Sequence, residues 1–149
     1  MLLNKNIQIK ECLSYEAKKG VWDAFFKVYS DNSHGIQNID NYIEKVSKLA
    51  RIIAAYDNEQ VIGFIAFYAN NYDEKIAYLT QGLVIKDYQK CNIGKKLFKA
   101  CEVVCKKEGF KYLKLEVNKD NINAIGFHSH YGFVKKEEKE NSFYMVKEI

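Results

Sequence analysis

The chain has 149 residues, 48% of them hydrophobic and 28% charged, with a formal charge of +4. That length suits one domain with a real core, and that composition excludes a disordered polymer. The small charge falls short of a chain that lives on nucleic acid, and no apolar run nears the roughly 20 residues that cross a bilayer.

Residues 1–10 carry Asn4, Lys5, Asn6 and Gln8 where a signal peptide needs an apolar stretch, so the expected location is cytoplasmic. Residues 7–13 alternate weakly as a first strand. Ser14 can cap a helix through Trp22, Phe25, Phe26 and Tyr29, whose spacing makes an apolar stripe. Residues 30–38 are loop chemistry, and 39–49 form a second short helix. Strands at 51–56 and 60–68 are joined by the turn Asp57-Asn58-Glu59, and another turn at 70–74 leads to a strand at 76–86. The clearest helix follows: Ile93, Leu97, Phe98, Cys101, Val104 and Cys105 share one face, and Gly109 ends it. In 112–117, Leu113, Leu115 and Val117 share one strand face. A short helix at 121–130 ends at Gly132, and strands at 133–136 and 142–147 close the chain. The order β-α-α-β-β-β-α-β-α-β-β predicts a mixed α/β sheet in a single domain, residues 1–149.

Cys12, Cys91, Cys101 and Cys105 show no C-x-x-C spacing. Cys101 and Cys105 share a helix face, but no second pair completes a metal site; both read as small interior residues, with no metal and no disulfide expected.

Between residues 86 and 119 ten lysines face four acids, so the positive charge is concentrated in one segment. A solvated helix face is the plain account; a compact polyanion is the functional one. Within that segment, residues 88–96 (Y-Q-K-C-N-I-G-K-K) feed a helix N-terminus. Such a turn presents unpaired backbone N–H groups at the positive end of the helix dipole, which suits phosphate. Gly94 permits close backbone approach, and Lys95 and Lys96 add charge. The turn lacks G-K-[ST] and G-x-G-x-x-G, excluding a nucleotide-hydrolysing P-loop and arguing against a dinucleotide site.

Two motifs carry a family resemblance. Gln89-x-x-Asn92-x-Gly94, after Gly82-Leu83-Val84, resembles the acetyl-CoA motif Q/R-x-x-G-x-G/A of the GNAT N-acetyltransferases. Asn121-x-x-Ala124-x-x-Phe127-His128-x-x-Tyr131-Gly132-Phe133 is similar to the family's second signature, N-x-x-A-x-x-F-Y-x-x-x-G-F. Together they cover residues 76–134; the first 75 residues match only in element order. The resemblance implies a mostly antiparallel twisted sheet with one splayed parallel strand pair and flanking helices. It implies acetyl-CoA as acyl donor, no metal, its diphosphate on the amides of Gln89, Lys90, Cys91, Asn92, Ile93, Gly94 and Lys95. The pantetheine arm would pair with Gly82, Leu83 and Val84, and Asn121 and Phe127 would complete the donor site. Coenzyme A carries about four negative charges, which suits the basic segment.

Asn92 replaces the family's glycine, and asparagine tolerates the left-handed backbone better than most residues. His128 replaces the tyrosine that commonly serves as general acid. A neutral imidazole still donates one hydrogen bond, so His128 is either that donor or a structural or substrate-lining residue. Tyr131 is the rival donor, with core packing as its alternative; His130 reads as a surface residue pointing elsewhere. Glu116, flanked by Leu115 and Val117, is the candidate general base, its pKa raised by partial desolvation; the alternative is a solvent-facing carboxylate paired with Lys114. Cys91, at a helix N-terminus among lysines, has features of a reactive thiol but needs no catalytic step.

The expected activity is direct acetyl transfer to a primary amine within a ternary complex. The rivals are a CoA-binding sensor or assembly module with weakened catalysis, and a basic nucleic-acid binder. No nucleic acid and no membrane are expected partners; a small-molecule or peptide amine is, and a homodimer is consistent with related enzymes. The acceptor site is expected between the first two helices, residues 31–37 and the last hairpin, where Asp31, Asp40, Asp73 and Glu74 favour a cation.

Overall fold

In residues 60–71, Ile62 through Phe67 are buried without a break, a pattern a strand shows when both its faces are covered. The computed structural model describes residues 6–32 and 39–149, without the side chains of 26–32 and 39. Its elements are β1 (Ile7–Cys12), α1 (Tyr15–Asn32), α2 (Ile39–Leu49), β2 (Arg51–Asp57), β3 (Gln60–Asn71), β4 (Ile76–Val84), α3 (Ile93–Lys107), β5 (Tyr112–Asn118), α4 (Ile122–His130), β6 (Val134–Glu138) and β7 (Ser142–Glu148). A single 3-10 turn, Lys86–Tyr88, lies between β4 and α3. The element order agrees with the sequence reading. Ser14 Oγ accepts from the Ala17 N–H at 3.0 Å, and Gly109 sits at φ +93° just past α3. Helix α1 runs three residues into the segment read as loop; residues 33–38 of that segment lie outside the described residues.

The strands form one sheet in the order β1-β2-β3-β4-β5-β7-β6, antiparallel throughout except for β4–β5. On one face Trp22 and Phe25 of α1 and Ile43 and Val46 of α2 pack on Ile52, Ala54, Phe64 and Ala66. On the other, Ile93, Leu97, Cys101 and Cys105 of α3 pack on Ile53, Phe67, Leu79, Leu113, Leu115 and Met145. Cys101 and Cys105 are thus interior residues, their sulfurs 4.0 Å apart, and no cluster suited to a metal occurs among the described residues. Arg51 anchors the far end of α3, its guanidinium reaching Glu11 and Glu108 at 2.8 Å each.

The splay of the parallel pair has a local cause. Phe67 pairs with Leu79 and Ala66 with Gln81, so Thr80 is an extra residue in β4. The β4–β5 ladder runs from Ile76–Tyr112 to Leu79–Leu115 and stops at that bulge. A bulge bends its strand and ends pairing, so β4 leaves β5 here and a gap opens between them. Gly63 of β3 lets β4 come close beyond the bulge: a Cβ there would lie 3.1 Å from the Leu83 carbonyl and 3.4 Å from Ile93.

Candidate active site

The turn into α3 is open at its backbone. The Lys96 N–H bonds the Asn92 carbonyl at 3.1 Å, the first bond of the helix. The N–H groups of Ile93, Gly94 and Lys95 have no protein partner, and no side chain caps them. Asn92 makes this turn at φ 61°, in the left-handed region that asparagine tolerates. The turn is anchored from behind, where the Tyr88 hydroxyl donates to the Asp57 carboxylate on β2. Ile93 is buried and Cys91 packs on the core, so those two residues offer this site backbone rather than side chain; Lys90 is exposed.

The end of β4 supplies the next polar groups. The Ile85 N–H donates to the Ile62 carbonyl of β3 at 2.9 Å, and in extended backbone the neighbouring Val84 turns its N–H and C=O the other way, into the gap. Gln89 Nε2 meets the Val84 oxygen there at 2.9 Å, so the Gln89 side chain braces the strand end. Leu83 faces the opposite core and Gly82 is exposed beside the gap.

Helix α4 forms the facing wall. Asn121 caps it, its Oδ1 accepting from the Ala124 N–H at 3.1 Å, so its side chain has a local structural role. Gly94 earns its place through α4: a Cβ there would sit 3.5 Å from the Phe127 ring, which packs against the first turn of α3. Val84, Gln89, Asn92, Gly94, Lys95, Phe127, His130 and Tyr131 enclose a cavity of about 520 Å³. His130 therefore faces the cavity, against the sequence reading; it follows Phe127 by three residues, which places both on one stripe of the helix. That spacing was the available signal.

The two candidate proton donors differ sharply. Tyr131 Oη donates to Glu102 at 3.2 Å, Lys147 reaches the same carboxylate at 2.8 Å, and its ammonium lies 4.0 Å from the Tyr131 ring centroid. Burial, with Glu102 beside it, pushes the Tyr131 hydroxyl well above its ordinary range. This hydroxyl is committed to joining α4, α3 and β7. His128 packs among Phe98, Phe127 and Phe133, and its Nδ1 is sealed from solvent without a hydrogen-bond partner. Burial lowers its pKa to about 4, so the ring is neutral at physiological pH and carries one N–H rather than the charge of an imidazolium.

Glu116 corrects an expectation. Leu115 and Val117 point into the α3-side core, so they do not desolvate a carboxylate on the opposite face. Ser142 Oγ donates to Glu116 at 2.5 Å and Lys139 stands 3.5 Å away; these hold its pKa below the usual carboxylate range rather than above it. Lys114 pairs with Glu137 instead, at 3.7 Å. On that face lies a second hollow of about 300 Å³, including Tyr68, Tyr78, Glu74, Lys114 and Tyr144. It ends at the last β4–β5 pairs before the gap, and only Tyr144 comes from the last hairpin. Burial pushes the Tyr78 hydroxyl up to about 12. Of the acids expected near an acceptor, Glu74 lines this hollow.

The fold has counterparts. The family model described as "Acetyltransferase (GNAT) family" matches residues 15–133. No curated protein matches the chain. Among solved structures, the PaiA N-acetyltransferase of Thermoplasma acidophilum in complex with coenzyme A has 21% identity and a TM-score of 0.75, over 96% of this chain and 99% of that one. An acetyltransferase from Streptococcus agalactiae has 18% identity and a TM-score of 0.79, over 98% and 100%. The ribosomal-protein-S18-alanine N-acetyltransferase of Escherichia coli has 17% identity and a TM-score of 0.72, over 96% and 94%. With the family model spanning most of its length, and with an open amide turn beside a splayed strand pair, the chain belongs to the GNAT acetyltransferase family.

Proposed function

We propose that the chain transfers acetyl from acetyl-CoA to a primary amine by direct attack in a ternary complex. The observation that carries this reading is the row of partnerless N–H groups on Ile93, Gly94 and Lys95, facing a 520 Å³ cavity beside the β4–β5 gap. The diphosphate of the donor fits those amides. The pantetheine arm fits the open edge of Gly82 to Val84, which leads its thioester into the gap.

The acceptor enters from the opposite face, over the tyrosine-lined hollow. A water held by Glu116 takes a proton from the ammonium. The amine nitrogen then bonds to the thioester carbon, and the Val84 N–H meets the developing oxyanion. As the carbon–sulfur bond breaks, the neutral His128 ring donates a hydrogen bond to the departing sulfur. The tetrahedral nitrogen gives up a second proton as that bond breaks, and through water this proton reaches the thiolate, leaving the amide and the coenzyme A thiol; the first proton, taken from the ammonium, passes through Glu116 to solvent.

Calorimetric titration with coenzyme A, then thiol release from acetyl-CoA across a panel of amines, tests the reading. Binding with turnover on at least one amine is the expected result; no binding ends it. Binding with no turnover on any amine selects the second reading, a CoA-binding sensor or assembly module. The full engagement of Glu116 by Ser142 and Lys139 is what favours that alternative.

A further inference from the structure

The carboxylate proposed to receive a proton from an incoming amine already holds an amine of this chain. Lys139, in the turn between β6 and β7, places its ammonium 3.5 Å from Glu116 and donates to the Tyr144 hydroxyl at 3.3 Å. Tyr144 is the cross-strand neighbour of Glu116 and also lines the 300 Å³ hollow, so this ammonium borders the space proposed for the acceptor. Glu116 follows Leu115, the last β5 residue paired with β4, and so lies at the mouth of the gap. Lys114, on the same face, is turned to Glu137 at 3.7 Å instead. The Lys139 backbone is fixed, its N–H bonding the Ser142 carbonyl at 2.8 Å. Its side chain is half exposed, and an exposed ion pair of this kind is weak enough to open readily.

We infer that Lys139 is a self-acetylation site: with acetyl-CoA bound and no acceptor present, the chain transfers the acetyl group to its own Lys139 Nζ. A flexible four-carbon stem joins that nitrogen to the backbone, so it can swing past Glu116 toward the gap with the hairpin in place. The chemistry is that proposed for a free amine. Through water Glu116 takes a proton from the ammonium and passes it to solvent, Nζ bonds to the thioester carbon, and the carbon–sulfur bond breaks. The second proton of the nitrogen reaches the thiolate, leaving an amide on Lys139 and the coenzyme A thiol. That amide carries no charge, so Glu116 loses its ion pair and keeps Ser142. Before modification Lys139 competes with an acceptor ammonium for Glu116; afterwards it does not. The inference rests on the acetyl-transfer reading above, but it can fail alone.

The test is incubation of the full chain with acetyl-CoA and no added amine, followed by peptide mass spectrometry over time. Acetyl should accumulate on Lys139 about tenfold faster, or more, than on Lys106 and Lys107, exposed lysines in the last turn of α3 that report unassisted chemical acetylation. Glu116→Gln should slow the Lys139 reaction by about tenfold or more and leave Lys106 and Lys107 unchanged. The rate constant should not change when the protein is diluted, since donor and acceptor belong to one chain. Modification of Lys139 no faster than of Lys106 overturns the inference, as does an equal rate in Glu116→Gln. A rate proportional to protein concentration means transfer between copies and overturns it too. Thiol release on an added amine with Lys139 left unmodified overturns the inference while the proposed activity stands. Failure of wild type to bind acetyl-CoA defeats both readings.

Discussion

On the α3 side of the gap, the amides of Ile93, Gly94 and Lys95 and the side chains of Lys95 and His130 lack protein partners among the described residues. On the opposite side, Glu116 is held by Ser142 and Lys139, Lys114 by Glu137 and the Tyr144 ring, and Glu74 by Asn71. The first side is preorganised for a ligand of opposite charge, which meets no competing contact. The second is satisfied internally, so an acceptor has to displace side-chain contacts to engage the same charges. Difference in preorganisation is difference in binding cost: one side loses little on binding, and the other gives up hydrogen bonds it already has.

Substitutions on the two sides should therefore behave differently. His128→Ala should lower kcat by about 100-fold with coenzyme A affinity nearly unchanged, because in the proposed mechanism it removes the donor to the leaving sulfur. Tyr131→Phe should leave kcat within about twofold and cost about 1 kcal/mol of stability, because its hydroxyl serves Glu102. Steady-state kinetics on both variants decide between them; comparable losses in kcat would remove His128 from its role. His128→Tyr should keep activity.

Gly63→Ala forces a Cβ against the Leu83 carbonyl and should cost about 1–3 kcal/mol, read by urea unfolding. It narrows the approach that sets the end of β4, so acetyl-CoA KM should rise as well. Glu116→Gln should reduce kcat by about tenfold, at the weak end for a proton acceptor because its partners depress its basicity. Its coenzyme A affinity should not move; a change there would mean that the two sides are not separate.

The buried histidine also sets a pH dependence of folding. Its pKa is about 4 in the fold and about 6.5 in the unfolded chain, so between those values the unfolded state binds the proton first. Stability should fall as pH drops from about 6.5 toward 4, and His128→Phe should flatten that part of the profile, measured by chemical denaturation at a series of pH values. The smallest effect belongs to Asn92→Gly, which relieves a left-handed residue at φ 61° and should gain about 0.5 kcal/mol. Coenzyme A binding should tighten by no more than about threefold, since the amides are already open.

Much of the donor side was legible because it is local. The amide turn and the α3 stripe each depend on residues within a few positions of one another, and periodicity reports such relations directly, whereas Asn121, expected in the donor site, proved to cap α4. His130 was legible too, through its spacing from Phe127, once that stripe rather than His128 is taken as the reference. The Thr80 bulge was not, because an extra residue in a strand shows only against its partner's register. Glu116 misled for a similar reason: its neighbours in the chain are apolar, but in a strand they occupy the other face. Its environment comes from Ser142 and Lys139, more than 20 residues away.

The order of elements, the faces they bury and the turn into α3 follow from residue spacing, since each is set by the period of a helix or strand and by the chemistry of its ends. Which polar side chains are free and which are engaged was decided only when the sheet assembled. The ladder order brought β7 beside β5 and α4 beside the start of α3, and pairings of that range leave no periodic trace in the chain.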